Sequence, residues 1–227
     1  MGGKSPFIIT EEADLDAAIG FGVNDVMVNT GQTCNALTRM IIPESKYDEA
    51  VELAKSKAEA LVVGDPTDPN VFVGPMSSAG QKQTVLDYIN QAISDGARLV
   101  TGGTDMPEGL TTGNYVSPTI FADVTNDMNI AQEEVFGPVL VMIKYSAIDQ
   151  AIEIANDTPY GLAAGVWAGD HDKATAIARR IRAGQVAING GEANHEAPFG
   201  GYKESGNGRE FGNEGLHEYC ELKAMQY

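Results

Sequence analysis

The chain has 227 residues with 43% hydrophobic and 21% charged residues, enough for a sizeable core and too apolar for a disordered or fibrous protein. Its net charge of −17 argues against a nucleic-acid partner, because phosphates demand Lys and Arg, and equally against anionic membranes. Cys34 and Cys220 make no disulfide framework in a chain this long. Together with the absence of a membrane-length apolar run or a signal-peptide pattern, this leads us to expect a soluble protein of the reducing cytoplasm. Gly2 is followed by Pro6 where a myristoylation signal needs Ser or Thr.

Along the chain, helical periods and short apolar runs alternate. Thr10 reads as an N-cap, with Glu11, Glu12 and Asp14 near the positive end of a helix running toward Val28. A turn over 29–33 delivers Cys34, and 38–42 reads as a buried strand. Ser45 is expected to cap a second helix, with Ala50, Val51, Ala54, Ala58 and Leu61 on one face. A third helix carries Val85, Ile89, Ala92 and Ile93 and stops at Gly96. Extended segments are expected at 97–101, 115–121 and 139–145, followed by a βαβαβ series: helix 148–156, strand 163–168, helix 172–182 and strand 185–189. This order predicts an α/β fold of three layers, with a mostly parallel sheet between helices. A glycine-rich polar stretch over 198–215 follows, then a strand-like 219–225, so residues 1–212 form one domain and 213–227 a C-terminal arm.

Four segments carry chemistry. In Gly31-Gln32-Thr33-Cys34 a thiol sits in a polar turn, whose exposed N–H groups can favour a thiolate and hold an oxyanion; the alternative is a buried structural cysteine. Glu133 through Val139 joins two carboxylates to Phe136 and a rigid Gly-Pro turn, and a carboxylate before a strand can hold a ribose diol. The alternative there is a solvated helix end. Pro198 through Glu210 surrounds Phe199 with glycines, which allow close approach of main chain to a ligand or a strand; a flexible surface loop is the competing reading. Gly3-Lys4-Ser5 has the end of a phosphate-binding loop but lacks its first glycine and leading strand. His171, His195 and His217 are too far apart for a local metal motif, and no metal is expected.

In this order and spacing, with Gly2 through Pro6 and Gly113 through Thr119, the segments resemble the aldehyde dehydrogenase superfamily over the whole chain. The resemblance implies that Cys34 attacks an aldehyde and passes through a thioester to a carboxylic acid, with NAD (or NADP) as cofactor. It further implies that Glu134 holds the ribose, Phe136 packs near the nicotinamide, Gln81 makes a lesser cofactor contact, Phe199 lines the aldehyde pocket and Asn189 supports the site. The family's base, a glutamate, precedes a leucine whose position Met1 takes, and its nucleotide-binding domain lies upstream. The expectation is therefore a truncated catalytic domain, a poor dehydrogenase alone, with an arm that serves a homo-oligomer in the full-length protein. Two rivals are a cysteine hydrolase or acyltransferase pairing Cys34 with His195 or His217, and a non-catalytic interaction domain.

Overall fold

The computed structural model describes residues 2–227, so Met1, and the comparison drawn with the family's leucine, lies outside the described residues. Its strands are β1 (Pro6–Ile9), β2 (Arg39–Pro43), β3 (Arg98–Thr101), β4 (Thr119–Ala122), β5 (Val139–Tyr145), β6 (Ala163–Trp167) and β7 (Gln185–Ile188). They form one sheet in the order β3-β4-β5-β2-β1-β6-β7, parallel throughout except for the β3–β4 pair. The central strands are buried on both faces, which is why β5 opens on the unbroken apolar run Val139–Ile143, before the exposed Lys144.

Alternation along each strand sorts side chains to the two faces. Phe7, Ile9, Met40, Ile42, Leu140 and Met142 meet α1 (Leu15–Met27) and α2 (Tyr47–Glu59) on one side. On the other, Val139, Val141 and Ile143 meet α3 (Ala79–Ser94) and the short α4 (Asn129–Gln132). There too Ile8, Ile41 and Val166 meet α5 (Ile148–Asn156) and α6 (His171–Ala178). Burying each such side chain is worth about 1.5–3 kcal/mol, so a one-residue slip of register is strongly opposed. The three-layer α/β expectation is met.

Several local expectations are not. The cap of α1 is Asp14, whose carboxylate accepts the Ala17 N–H at 3.1 Å. Thr10 lies too far upstream to serve, still in line with β1, where its N–H donates to Trp167 O at 2.9 Å in continuation of the β1–β6 ladder. Ser45 lies in a 3₁₀ turn (Glu44–Lys46) and bonds Glu11 instead, leaving α2 without a side-chain cap. β1 itself was not foreseen. Residues 219–225 form no strand: Tyr219, Leu222, Met225 and Tyr227 stand exposed after α7 (Gly212–His217), and a strand needs a partner edge to satisfy its N–H groups. The expected boundary after residue 212 falls within α7. Among the described residues, no helix is long and apolar enough to cross a membrane.

Arg39 locks the centre. Fully buried, it donates Nε to Lys4 O at 3.0 Å, Nη1 to Asn126 Oδ1 at 2.6 Å and Ile154 O at 3.0 Å, and Nη2 to Ala155 O at 3.0 Å. The last two acceptors are at the carboxyl end of α5, where a cation is favoured.

Candidate active site

Cys34 stands at the amino end of β2. Just before it, α1 gives way to a turn (Val28–Gly31) in which Asn29, Thr30 and Gly31 have φ of 50°, 58° and 69°. Three successive left-handed residues are rare, and a β-branched threonine there is strained by about 1–3 kcal/mol. The surroundings hold them. The Asn29 side-chain amide donates to Gln32 O at 2.9 Å, the Thr30 hydroxyl to Gly74 O at 3.1 Å, and Ser77 N to Gln32 Oε1 at 2.8 Å. Gly31 is unavoidable: a Cβ there would stand 2.0 Å from Gly137 O. A tight turn then closes as Ala36 N donates to Thr33 O at 3.1 Å, leaving Cys34 as a free, half-buried thiol at the bend.

Gly2 and Gly3 lie at the amino end of β1, wedged between Cys34 and Glu134. Gly3 N donates to Glu134 Oε1 at 2.9 Å, while a Cβ on Gly3 would come within 2.5 Å of Cys34 O. A Cβ on Gly2 would be 2.9 Å from Glu134 Oε2. Two residues a hundred positions apart thus share one glycine pair. Neighbouring Glu133 turns away and accepts the Tyr88 hydroxyl at 2.6 Å, which pushes that phenol up to about 12. Behind the glycines, Lys4 is fully buried, and among the described residues its Nζ has no hydrogen-bond partner. Burial lowers its ammonium to about 7, with Arg39 adding to the effect and Glu134 and Glu133 opposing it.

Phe136 adopts φ 55° and remains 38% exposed, an apolar ring displayed at the amino end of β5. Gln81 donates Nε2 to Val135 O and Phe136 O, both at 3.1 Å, so that part of its amide holds the Phe136 loop. The glycine-rich segment comes to the same strand ends. The Ser205 hydroxyl accepts Gly161 N at 3.0 Å and donates to Gly2 O at 2.6 Å, and Gly184 has room only for a hydrogen beside Gly200 O. Phe199 exchanges two main-chain bonds of 2.7 Å with Glu210, and its half-buried ring meets Phe211 at 6.3 Å.

Cys34, Glu134, Phe136, Gln81 and the Phe199 segment therefore gather at the amino ends of the parallel strands. Asn189 does not join them: it follows the carboxyl end of β7, at φ 48°, with Oδ1 accepting Ala168 N at 2.8 Å. His195 packs against Phe211 and His217 lies in α7; among the described residues neither bonds Cys34. Nothing in the sequence singles out Ser205, although it lies within the glycine-rich motif.

Residues 1–225 match the profile of the aldehyde dehydrogenase family, and the chain belongs to that family. It is 46% identical to a 3-succinoylsemialdehyde-pyridine dehydrogenase of Pseudomonas over 99% of this chain and 47% of that protein. A crystal structure of a cysteine-to-alanine variant of aldehyde dehydrogenase C from Pseudomonas syringae, complexed with NAD+ and octanal, superposes with a TM-score of 0.97 at 47% identity, covering 99% of this chain and 46% of that one. A Mycobacterium tuberculosis aldehyde dehydrogenase complexed with NAD+ gives 0.94 at 48% identity, over 96% and 45% of the two chains. The chain spans about half the length of the curated relatives it matches.

Proposed function

We propose that this chain carries the nucleophile and the nicotinamide end of the cofactor site of an aldehyde dehydrogenase that makes carboxylic acids. The Cys34 thiolate adds to the aldehyde carbon, and the new oxyanion is held by the Cys34 N–H. Bound NAD (or NADP) supplies the hydride acceptor. Loss of hydride from the substrate carbon leaves a thioester on Cys34; water then adds, the thiol leaves, and the acid is released.

The residues present fit the cofactor. Glu134 has Oε1 committed to Gly3 and, among the described residues, accepts no hydrogen bond at Oε2, which offers an acceptor to a ribose hydroxyl. Gly2 keeps open the space beside Oε2 that a Cβ would fill at 2.9 Å. Phe136 offers a ring face to the nicotinamide, Gln81 steadies it, and Phe199 walls the aldehyde side. Asn189 acts at a distance, by fixing the end of β6 against β7. The relatives solved with NAD+ support this assignment.

The observation that carries the reading is the Gly2-Gly3 wedge, which couples the thiol turn to the ribose carboxylate. The test is mass spectrometry of protein mixed with aldehyde and NAD: an acyl adduct is expected on Cys34, with a matching burst of NADH, and neither in Cys34→Ala. NADH production that survives Cys34→Ala sinks the reading. The 227 residues alone are expected to turn over poorly, since the relatives are about twice as long; steady-state rates equal to the relatives' would refute that. Residues 213–227 we assign to a homo-oligomer, in which their exposed apolar side chains find a partner.

A further inference from the structure

We propose that Asp25 is a positioning residue for the nucleophile turn, an inference that rests on Cys34 being the nucleophile. Asp25 lies in the last turn of α1, and its Oδ2 accepts the Leu37 N–H at 2.7 Å. Leu37 is three residues beyond Cys34. The thiol is therefore bracketed, by the left-handed run Asn29-Thr30-Gly31 before it and by this side-chain clamp after it.

Two features mark the carboxylate as costly where it stands. It is half-buried near the negative end of a helix, where anions are disfavoured, and among the described residues it has no cationic partner. Burial accordingly pushes its carboxyl above the usual range, and the Leu37 N–H pulls it back. An isolated helix gains nothing from such a residue. What it secures is the path of the chain from Cys34 into β2: among the described residues, the main chain between them otherwise makes the Thr33–Ala36 turn, a bond from Thr38 N to Ala36 O and, only at the strand itself, one from Val141 N to Thr38 O. Leu37 N is the donor that would otherwise be left without an acceptor as its side chain enters the core.

The test is iodoacetamide labelling of the 227-residue chain, with Cys34 and the exposed Cys220 quantified separately by peptide mass spectrometry. In the wild type Cys34 is expected to react faster than Cys220. Asp25→Ala slows Cys34 by about tenfold, the effect of losing one charge-assisted hydrogen bond, and leaves Cys220 unchanged. Asp25→Asn keeps an acceptor oxygen without the desolvated charge, so it retains most of the rate while melting no lower than wild type. Hydrogen exchange reads the clamp directly: the Leu37 amide loses protection in the Ala variant and keeps it in the Asn variant. General loosening of the fold accelerates Cys34 instead of slowing it, and that outcome, or an unchanged rate in Asp25→Ala, overturns the inference. Asn and Ala variants that are equally slow also overturn it. A wild-type Cys34 no faster than Cys220 sinks the nucleophile reading and this inference together, whereas a fast wild-type thiol unaffected by Asp25→Ala sinks only the clamp.

Discussion

The amino ends of β1, β2 and β5 and the last ten residues of the chain dispose of their groups in opposite ways. At the strand ends, main chain presses on main chain: Gly3 against Cys34 O, Gly31 against Gly137 O, with left-handed residues held by side-chain bonds on several sides. In the tail, Leu222 and Tyr227 are as exposed as in an extended peptide. The first arrangement suits a site whose reacting groups must sit within a fraction of an ångström, because displacement there is expensive. The second suits a surface whose geometry another chain completes. The difference teaches where a substitution is felt within this chain and where it is not.

The largest effect is expected at Gly31→Ala. The added Cβ meets Gly137 main chain at 2.0 Å and must also accept φ 69°. Backbone cannot yield as a side-chain tip does, so a loss of about 3–5 kcal/mol is expected, read as a lower urea midpoint. A variant as stable as wild type would break the contrast between the two regions.

Lys4 sharpens it through pH. Burial, with Arg39 second, lowers its ammonium from 10.5 to about 7 against the pull of Glu134 and Glu133. Below about pH 7 both folded and unfolded chains hold this proton, and the cost of the buried charge is fully present. Between about pH 7 and 10 the unfolded chain holds more protons at this site, so stability rises with pH across that window. Lys4→Met is expected to remove the rise, measured as urea midpoints over the same range. A rise of equal size in the variant assigns it to other groups.

What the sequence made legible follows from the same physics. β5 and the helix α5 are correctly bounded, because the five-residue apolar run Val139–Ile143 that opens β5 and the strong 3.6-residue period of α5 are local signals. β1 was missed since four residues after a glycine motif carry no period of their own; its identity comes from β2 and β6 on either side. Cys34, Glu134 and Phe199 stood out through residue type and order. The wedge that unites the first two did not, because Gly3 and Glu134 are 131 positions apart. Asp25 gave no signal at all: a lone carboxylate on a helix looks solvated until the chain returns Leu37 to it. The tail misled for a related reason, since 219–225 has strand composition but no partner within this chain.

A smaller effect is expected at Asp14→Ala. Its carboxylate takes one of the orphan N–H groups of α1, and removing a cap costs about 1 kcal/mol. α1 leads directly into the Cys34 turn, so labelling of Cys34 in this variant also asks whether fraying at one end reaches the other. Thirteen residues of helix packed on the sheet intervene, and the thiol rate is expected to stay unchanged.

Leu222→Ser should do least to the folded chain and most clearly separate the two regions. Leu222 is fully exposed, so the substitution removes no packing, and its unfolding free energy is expected to stay within about 0.5 kcal/mol of wild type. An exposed leucine among Tyr219, Met225 and Tyr227 is nevertheless more apolar surface than ten tail residues need for solubility. If these side chains serve a second copy, the variant shifts toward lower mass in light scattering at unchanged stability. If it melts early instead, the tail packs on its own domain in solution and the contrast fails there. Stability and association are separate readouts, and only a residue whose contacts lie outside its own chain moves the second alone.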